Sequence, residues 1–530
     1  MKKQFLSLAL SFAVSCITFS QTSVDWEQNL GGTGTDVAKS VQQLSDGGYI
    51  LTGASNSNNF NVAGNHGMYD CWVVKLDEEG EILWQNCLGG SQADKAESIR
   101  PTTDGGFIVA GNTQSDDGDV SGHHGDYDFW VVKLDADGSI IWQNCLGGSS
   151  WDYAYSIQQT NDEGYIVAGN TFSDDGDVSG NHGSYDYWIV KLNSSGEMMW
   201  QKCLGGSTSD EAREIHQTAD GGYIVTGYSM SNDGDVSGNN GMADYWTVKL
   251  NAEGDIEWQK CHGGSSYDEG TSIHQTSDDG FIVAGYSSSE DGDVTGNHGY
   301  NDYWVVKLDE SGEMEWESSL GGSDEDYARS IRQTEDNGYV VAGRSESTDG
   351  QVSGNHGEYD YWIAKLNSNG DFSWGKSIGG SGHDWAYAIV QTNDDGYAIA
   401  GEAQSFDGDV GGNYGYKDYW IAKLAPTTTG FESTSTYSPR QITLQVKPNP
   451  FHSQTEVSFK LQDSKRVAIV VSDIDGNFIN TLCNQQYSSG KHSIRWKGVN
   501  KEKGRVKPGL YFIKVKVNGS VNAVKKVIHL

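Results

Sequence analysis

Two series of tryptophans recur every 58 residues along most of this 530-residue chain, and this repeat constrains the fold more than any other feature. The series are Trp26, Trp84, Trp142, Trp200, Trp258, Trp316 and Trp374, and Trp72, Trp130, Trp188, Trp246, Trp304, Trp362 and Trp420. A fixed period of this length is typical of an array in which each unit buries its apolar surface against its neighbours. The chain is also too long for one ordinary core. We therefore predict seven equal structural units.

Each unit contains four short strand patterns. In one unit these patterns cover residues 95–102, 107–110, 129–134 and 140–146. The sequence Asp104-Gly105-Gly106, between the first two, is typical of a tight turn. The second pattern is apolar at consecutive positions, which indicates a strand covered on both faces. Four-stranded sheets packed between identical neighbours form a β-propeller, whereas a solenoid, the main alternative, usually has shorter units and needs caps.

The strand patterns at the two ends of the array predict how the ring closes. The array begins with a fourth-strand pattern at residues 24–30 and ends with a third-strand pattern at residues 419–424. We predict that residues 24–30 complete the blade formed by residues 384–424, so that no sheet edge stays open there. The predicted fold is all-β, with a seven-bladed β-propeller closed by its N-terminal strand and followed by a small C-terminal β-sandwich.

The first residues are typical of a secretory signal. Lys2 and Lys3 precede an apolar run over residues 5–19, and the small Ser20 offers a cleavage site. This run is short for a membrane span, and no other segment is apolar for long enough to cross a bilayer. We predict a signal peptide over 1–20, the propeller over 21–424, a linker over 425–440 and a β-sandwich over 441–530. The mature protein is expected to be soluble and exported.

Charge separates the chain into two parts. The whole chain has 73 acidic and 36 basic residues, a net charge of −37, which disfavours nucleic acid as a partner. From Arg440 onward, however, 16 basic residues face only 5 acidic ones. A stretch rich in Thr and Ser lies between the two parts and is typical of a linker. We therefore expect two domains with separate roles.

Four motifs in the basic tail resemble a known export signal. They are Lys447-Pro448-Asn449-Pro450, the segment 471–477 with Asp473 and Gly476, the segment 508–515 with Gly509 and Tyr511, and the terminal Lys525-Lys526. In this order, over residues 442–530, they resemble the type A sorting domain of the type IX secretion system. About seven short β segments in the tail also match the size of a small β-sandwich.

The resemblance implies an export route and the proteins that interact with the tail during export. The Sec pathway would deliver the protein to the periplasm of a Gram-negative, Bacteroidota-type cell, and the type IX secretion machinery would take it through the outer membrane. In that family a surface sortase removes the tail, and the cargo is released or attached to lipopolysaccharide. We therefore expect a secreted or cell-surface protein that is cleaved within residues 425–446.

Ligand-binding candidates lie where the seven copies differ. Around one repeated Asp, the aromatic residues Trp151, Tyr153, Tyr267, Tyr327 and Trp385 occur in some units only. We expect them on one rim of the ring, in the short loops between blades. Aromatic faces in such a place stack on sugar rings or anchor a protein partner. The alternative is that they only cover neighbouring loops.

The loop between the second and third strands is a candidate calcium site. The ligand candidates are Asp116, Asp117, Asp119, Asp174, Asp175 and Asp177. Clustered carboxylates beside a sharp Gly turn suit Ca²⁺, but the spacing is not that of the twelve-residue calcium loop, and Asx turns explain the same residues. His66, His124, His182, His298 and His356 recur in this loop. For them a repeated hydrogen bond is favoured over zinc, which needs several ligands converging on one point.

Residues repeated in all seven units are expected to be structural. The repeated aspartates, such as Asp36 and Asp70, and the lysine five residues after Asp70 suggest a polar pairing or turn cap in every blade. Cys87, Cys145, Cys203 and Cys261 share one repeated position and are interpreted as small buried side chains.

No catalytic motif stands out from the repeats. A nucleophile elbow, a zinc-protease motif and a phosphate-binding loop are all missing from the sequence. We predict a secreted or surface binding protein for a glycan or another surface macromolecule, with calcium as the cofactor to test. The alternative is an extracellular polysaccharide-degrading hydrolase or lyase with its site at the mouth of the central channel, and a third hypothesis is a structural surface protein.

Overall fold

A computed structural model describes residues 23–426, 445–449, 451–461, 465–473, 478–501, 504–517 and 520–530. The predicted signal peptide and most of the predicted linker lie outside these residues. The chain divides into two compact units, one on each side of residue 430. All regular elements of the described residues are β-strands.

The N-terminal unit consists of seven four-stranded antiparallel sheets, here called blades 1 to 7. Blade 1 comprises β2 (Asp36–Gln43), β3 (Tyr49–Ser55), β4 (Asp70–Leu76) and β5 (Ile82–Leu88). Blade 2 comprises β6 (Asp94–Pro101), β7 (Phe107–Thr113), β8 (Asp128–Leu134) and β9 (Ile140–Leu146). Blade 3 comprises β10 (Asp152–Gln159), β11 (Tyr165–Thr171), β12 (Asp186–Leu192) and β13 (Met198–Leu204). Blade 4 comprises β14 (Asp210–Gln217), β15 (Tyr223–Ser229), β16 (Asp244–Leu250) and β17 (Ile256–His262).

The remaining blades repeat this plan. Blade 5 comprises β18 (Asp268–Gln275), β19 (Phe281–Ser287), β20 (Asp302–Leu308) and β21 (Met314–Leu320). Blade 6 comprises β22 (Asp326–Gln333), β23 (Tyr339–Ser345), β24 (Asp360–Leu366) and β25 (Phe372–Ile378). Blade 7 comprises β26 (Asp384–Gln391), β27 (Tyr397–Ala403), β28 (Asp418–Leu424) and, at its outer edge, β1 (Val24–Leu30).

The first strands of the blades stand in a ring. Each one contacts the first strand of the next blade, from β2 through β6, β10, β14, β18, β22 and β26 and back to β2. These strands therefore surround a common axis, and the space between them is called the axial channel below. The upper face carries the loops that precede the first strands, such as residues 31–35, and the lower face carries the turns that follow them.

The N-terminal strand completes the last blade, which confirms the predicted closure. Strand β1 pairs antiparallel with β28, with Glu27 opposite Ala422 and Leu30 opposite Tyr419. The hydroxyl of Tyr419 also donates a 2.9 Å hydrogen bond to the main-chain oxygen of Trp72 in blade 1. The fold is thus a seven-bladed β-propeller.

The core lies between adjacent blades. All seven positions of β7 and of β8 are buried, as expected for strands covered on both faces. The ring of Trp72 packs 4.4 Å from that of Tyr419, and its nitrogen donates a 2.7 Å hydrogen bond to Gln85. A glycine at the fifth position of the second strand allows a close approach of the first strand, because a Cβ at Gly53 would lie 1.9 Å from the Val37 oxygen.

The repeated polar residues bind main-chain groups and loop side chains, as predicted. Asp152 accepts hydrogen bonds from the Gly148 amide at 2.8 Å and the Ser173 hydroxyl at 2.9 Å, and burial raises its pKa to about 6. The repeated lysine does not pair with the aspartate five residues before it. Instead Lys133 forms a 2.9 Å ion pair with Asp104 in the turn between the first two strands.

The C-terminal unit has seven strands in two sheets. They are β29 (Gln445–Lys447), β30 (Thr455–Leu461), β31 (Lys465–Asp473), β32 (Phe478–Tyr487), β33 (Gly490–Trp496), β34 (Gly509–Val517) and β35 (Ser520–His529). One sheet has the order β29-β30-β33 and the other β32-β31-β34-β35. Phe459 and Trp496 of the first sheet share one core with Ile469 and Ile513 of the second. Two sheets around one core form the predicted β-sandwich.

Candidate functional site

Seven equivalent cross-strand pairs lie at the upper end of the axial channel. In each blade the second residue of the first strand pairs with the sixth residue of the second strand. The pairs, from blade 1 to blade 7, are Val37–Ala54, Lys95–Asn112, Tyr153–Asn170, Glu211–Tyr228, Glu269–Tyr286, Tyr327–Arg344 and Trp385–Glu402. Blades 3 to 7 therefore contribute aromatic and charged side chains, whereas blade 1 contributes small apolar ones.

Further side chains join these pairs into one group, here called the mouth cluster. It comprises Tyr153, Glu211, Arg213, Tyr228, Tyr267, Glu269, Tyr286, Tyr327, Arg344, Tyr359, Trp385, Glu402 and Lys417. The contacts run from blade to blade. The rings of Tyr286 and Tyr327 lie 4.7 Å apart, and Asn170 donates a 3.0 Å hydrogen bond to Glu211.

Charged groups in blades 4 and 5 are closely paired. Arg213 lies 3.1 Å from Glu211 and 2.8 Å from Glu269. The hydroxyls of Tyr228 and Tyr286 donate 2.6 Å hydrogen bonds to Glu211 and Glu269, respectively. Burial would raise the pKa of Glu269, but the Arg213 charge and these hydrogen bonds lower it below its ordinary value. This carboxylate is therefore held in its ionised form.

Blades 6 and 7 present cations against aromatic rings. The Arg344 guanidinium lies 4.4 Å from the ring centre of Tyr327 and 4.0 Å from that of Trp385. Lys417 lies 4.7 Å from the Trp385 ring and forms a 2.6 Å ion pair with Glu402. Two buried donors here, Arg344 Nε and Trp385 Nε1, have no acceptor among the described residues. Unsatisfied buried donors are rare in folded proteins, so these two mark an unusual point of the cluster.

The five predicted aromatic residues all lie on the upper face. Tyr153, Tyr267, Tyr327 and Trp385 are half-buried in the mouth cluster. Trp151 is 44% exposed and lies outside it, 6.3 Å from the ring of Phe172. The predicted location in loops is wrong for Tyr153, Tyr327 and Trp385, because the first strands begin one residue earlier than these positions.

Sequence reasoning missed the partners on the second strands. Tyr228, Tyr286, Arg344 and Glu402 lie opposite the variable first-strand residues, which are Glu211, Glu269, Tyr327 and Trp385. Variation between copies could have identified these residues as well, because the sixth residue of the second strand differs from blade to blade, as the second residue of the first strand does. Only the register of the hairpin shows that the two variable positions meet.

The carboxylates of the candidate calcium loops bind main-chain amides. Asp117 accepts a 2.6 Å hydrogen bond from Ser91 and Asp175 a 2.7 Å one from Ser149. Asp119 and Asp177 accept from Gly89 and Gly147. Asp174 accepts from Gly180, and Asp116 lies in the same kind of loop. Calcium binding by these loops stays a prediction, for which a lower melting temperature in the presence of a chelator would be expected.

The histidines of these loops make the predicted hydrogen bond. Nδ1 of His182 lies 2.6 Å from Asp186, and the His182 amide donates to the same carboxylate oxygen at 2.9 Å. Blade 4 carries Asn240 instead, whose amide donates to Asp244 at 2.9 Å. The loop histidine therefore caps a buried aspartate.

A second group of charged residues lies lower in the channel. Glu214 has Arg100 and Arg332 at 3.6 Å each, His216 at 3.0 Å and His274 at 3.8 Å, all measured to Oε1. Burial lowers the pKa of both histidines below its ordinary value. No sequence motif marks these residues, because they come from four different blades.

The motif residues of the tail occupy strand ends in the C-terminal unit. Pro448 and Asn449 follow β29, Asp473 ends β31 opposite Tyr511, and Gly509 begins β34. The Tyr511 hydroxyl donates a 2.7 Å hydrogen bond to the Lys507 oxygen. Lys525 and Lys526 lie in β35. Pro450 and Gly476 lie outside the described residues.

A family model described as the secretion system C-terminal sorting domain matches residues 445–529. The C-terminal unit is a sorting domain of the type IX secretion system. The protein is therefore exported through this system to the cell surface or the extracellular space, and its sorting domain interacts with the secretion machinery. Within the part of the chain that the structure describes, no helix is long and apolar enough to span a bilayer.

A search of the curated proteins finds no match to this chain or to any part of it. Among solved structures, PorZ of Porphyromonas gingivalis, a surface component of the type IX secretion system, is 13% identical with a TM-score of 0.37. That alignment covers 94% of this chain and 60% of PorZ, so this chain spans less than two thirds of PorZ. Sqt1 from Chaetomium thermophilum is 9% identical with a TM-score of 0.39, over 72% of this chain and 83% of Sqt1.

Proposed function

We propose that this exported propeller binds a glycan at the mouth cluster. The observation that carries the proposal is the set of half-buried rings such as Tyr327 and Trp385, next to the Arg344 guanidinium and two buried donors without acceptors, Arg344 Nε and Trp385 Nε1. A buried donor without a partner is costly, and a ligand that supplies an acceptor oxygen removes that cost. A sugar offers both hydroxyl oxygens and a ring face that stacks on an aromatic side chain.

The composition of the mouth cluster suits such a ligand. Sugar hydroxyls both donate and accept, and the cluster offers carboxylates such as Glu402 beside cations such as Lys417. The rigid Tyr and Trp rings lose little side-chain entropy when they bind. Because the cluster extends over blades 3 to 7, it suits an oligosaccharide better than a single sugar.

A polysaccharide-degrading activity at this mouth is the alternative. A glycosidase acid must be protonated near neutral pH, which requires a raised pKa. The pKa of Glu269 is lowered instead, and Arg213 links Glu269 to Glu211 in one ion-paired network. This pairing supports binding over hydrolysis. Release of reducing ends from a polysaccharide panel by the full chain would favour the enzyme.

A glycan array screened with the full chain, followed by titration of the best ligand, tests the proposal. Trp385→Phe keeps an aromatic face but removes the unpaired Nε1 donor, and should weaken binding about tenfold, as for the loss of one hydrogen bond. Trp142→Phe, on the outer strand β9 of blade 2, is the matched control and should leave the affinity unchanged. Equal affinities of wild type and Trp385→Phe, or no array signal at all, would overturn the proposal.

A further inference from the structure

A group of two imidazoles and one carboxylate interrupts the repeat in the lower half of the axial channel. Glu214 and His216 lie on β14 and His274 on β18. At the position of Glu214 the other blades carry Ser40, Ser98, Ser156, Ser272, Ser330 and Ala388. At the histidine position they carry Gln42, Arg100, Gln158, Arg332 and Val390. Blades 4 and 5 thus depart from the repeat at adjacent points.

The potential ligand atoms converge. The two imidazole rings have centres 4.1 Å apart, and Nε2 of His216 and His274 lie 3.0 Å and 3.8 Å from Oε1 of Glu214. All three ligand atoms are within 4.8 Å of one another. Of the residues that the structure describes, these are the one group of three that meets this condition.

The histidine nitrogens are unpartnered. His216 is only 8% exposed, and Nε2 of both histidines makes no hydrogen bond with any described residue. Nε2 of His216 is close enough to Glu214 for a hydrogen bond, but its direction is wrong for one. A short nitrogen–oxygen contact without hydrogen-bond geometry is expected of two ligands that point at a common ion rather than at each other.

We infer that Glu214, His216 and His274 bind a divalent transition-metal ion of the Zn²⁺ class. Two imidazoles and one carboxylate are a ligand set that zinc accepts, and three protein ligands leave a fourth position open. The carboxylate is already oriented for this task. Its Oε2 accepts hydrogen bonds from the Ser272 hydroxyl at 2.6 Å and the Ile273 amide at 3.0 Å, which leaves Oε1 for the metal.

The neighbouring arginines indicate the fourth ligand. Arg100 and Arg332 lie 3.6 Å from Oε1 of Glu214, and their charges oppose a second cation unless an anion accompanies it. The site therefore suits a metal ion whose open position is filled by an anion. Arg332 also lines a cavity of about 400 Å³ at the lower face, together with Gln42 and Val390.

Metal analysis of the full chain tests this inference. The chain is loaded with Zn²⁺, dialysed and analysed by mass spectrometry of the metal, and Co²⁺ is titrated separately and followed by its visible absorption. His216→Gln and His274→Gln are the test variants, because blade 3 carries Gln158 at this position without harm to the fold. His182→Asn, which copies Asn240 of blade 4, is a control in the loop outside the channel.

The expected result is one tightly held Zn²⁺ per chain and the spectrum of a four-coordinate Co²⁺ complex in wild type and His182→Asn. Both channel variants should bind Zn²⁺ more than about tenfold more weakly while keeping the wild-type circular dichroism and melting curve of the metal-free chain. Wild type without bound metal, or channel variants that bind it as well as wild type, would overturn the inference. Calorimetry that finds inorganic phosphate bound in place of Zn²⁺ would likewise overturn it.

Discussion

The indole nitrogen of Trp420 donates a 3.0 Å hydrogen bond to Glu27, which lies almost 400 residues earlier in the chain. In blade 1 the equivalent bond joins Trp72 to Gln85 of the same blade, at 2.7 Å. The N-terminal strand therefore takes over in blade 7 the role that the fourth strand has elsewhere. Side chains of β1 therefore add to the main-chain pairing with β28 that closes the ring.

Trp26→Ala should destabilise the propeller by about 2–4 kcal/mol, because its ring packs against Tyr49 of blade 1 and also holds β1 in place. Thermal unfolding of the full chain measures this change. Asp25→Ala, at an exposed position of the same strand, is the control and should have little effect. If both variants have the same melting temperature as wild type, the Trp26 side chain of β1 does not stabilise the ring.

Asp244→Asn should stabilise the protein at pH 8 and not at pH 4. Burial raises the pKa of Asp244 from 3.8 to about 7, so the folded state holds a proton that the unfolded chain has released. The stability that this aspartate contributes is present below pH 4 and is lost as the pH rises through about 7. The Asn side chain carries no charge at pH 8, so the variant avoids this loss and gains up to about 4 kcal/mol of stability there.

The pH dependence is measured by denaturant unfolding of wild type and Asp244→Asn across this range. Asp25→Asn, at an exposed position, serves as the control variant. A stability difference between wild type and Asp244→Asn that is the same at pH 4 and pH 8 would show that the buried carboxyl does not titrate as described.

The thiols of Cys71 and Cys87 should be unreactive in the folded protein. Both are buried, and burial raises the pKa of Cys87 to about 12, so almost no thiolate is present at pH 8. A thiol reagent should label them only after denaturant is added, with peptide mapping as the readout. Cys483 of the sorting domain is less buried and should be labelled first. Fast labelling of Cys87 in the native state would contradict the packing described for blade 1.

The secreted form should end within residues 425–446. The sorting domain covers residues 445–529, and its resemblance to the type A sorting domains implies that it is removed just before this region. Intact-mass measurement of the protein recovered from the medium or the surface tests this. A secreted form that ends far beyond residue 446 would contradict cleavage in the linker.

The fold was predictable because the repeat has a fixed length. Seven copies of one strand order, with an extra fourth strand at the start, allow little besides a ring closed by β1. Only some residues of the mouth cluster could be predicted from the sequence. Tyr153 and Trp385 vary between copies and stand out, whereas the pairing of Arg213 with Glu269 joins two blades and depends on the angle between them. In the sequence, Glu214 cannot be distinguished from a surface glutamate. Its partners from other blades come together only when the first strands surround the axis.

Hydrogen–deuterium exchange of the full chain, with and without the glycan selected on the array, tests most directly whether ligand binding lies in the sector where the blades differ. Protection is expected in peptides that contain the upper ends of β22, β23, β26 and β27, around Arg344 and Trp385. Protection confined to the lower-face turns, to blades 1 and 2 or to the sorting domain would contradict the account.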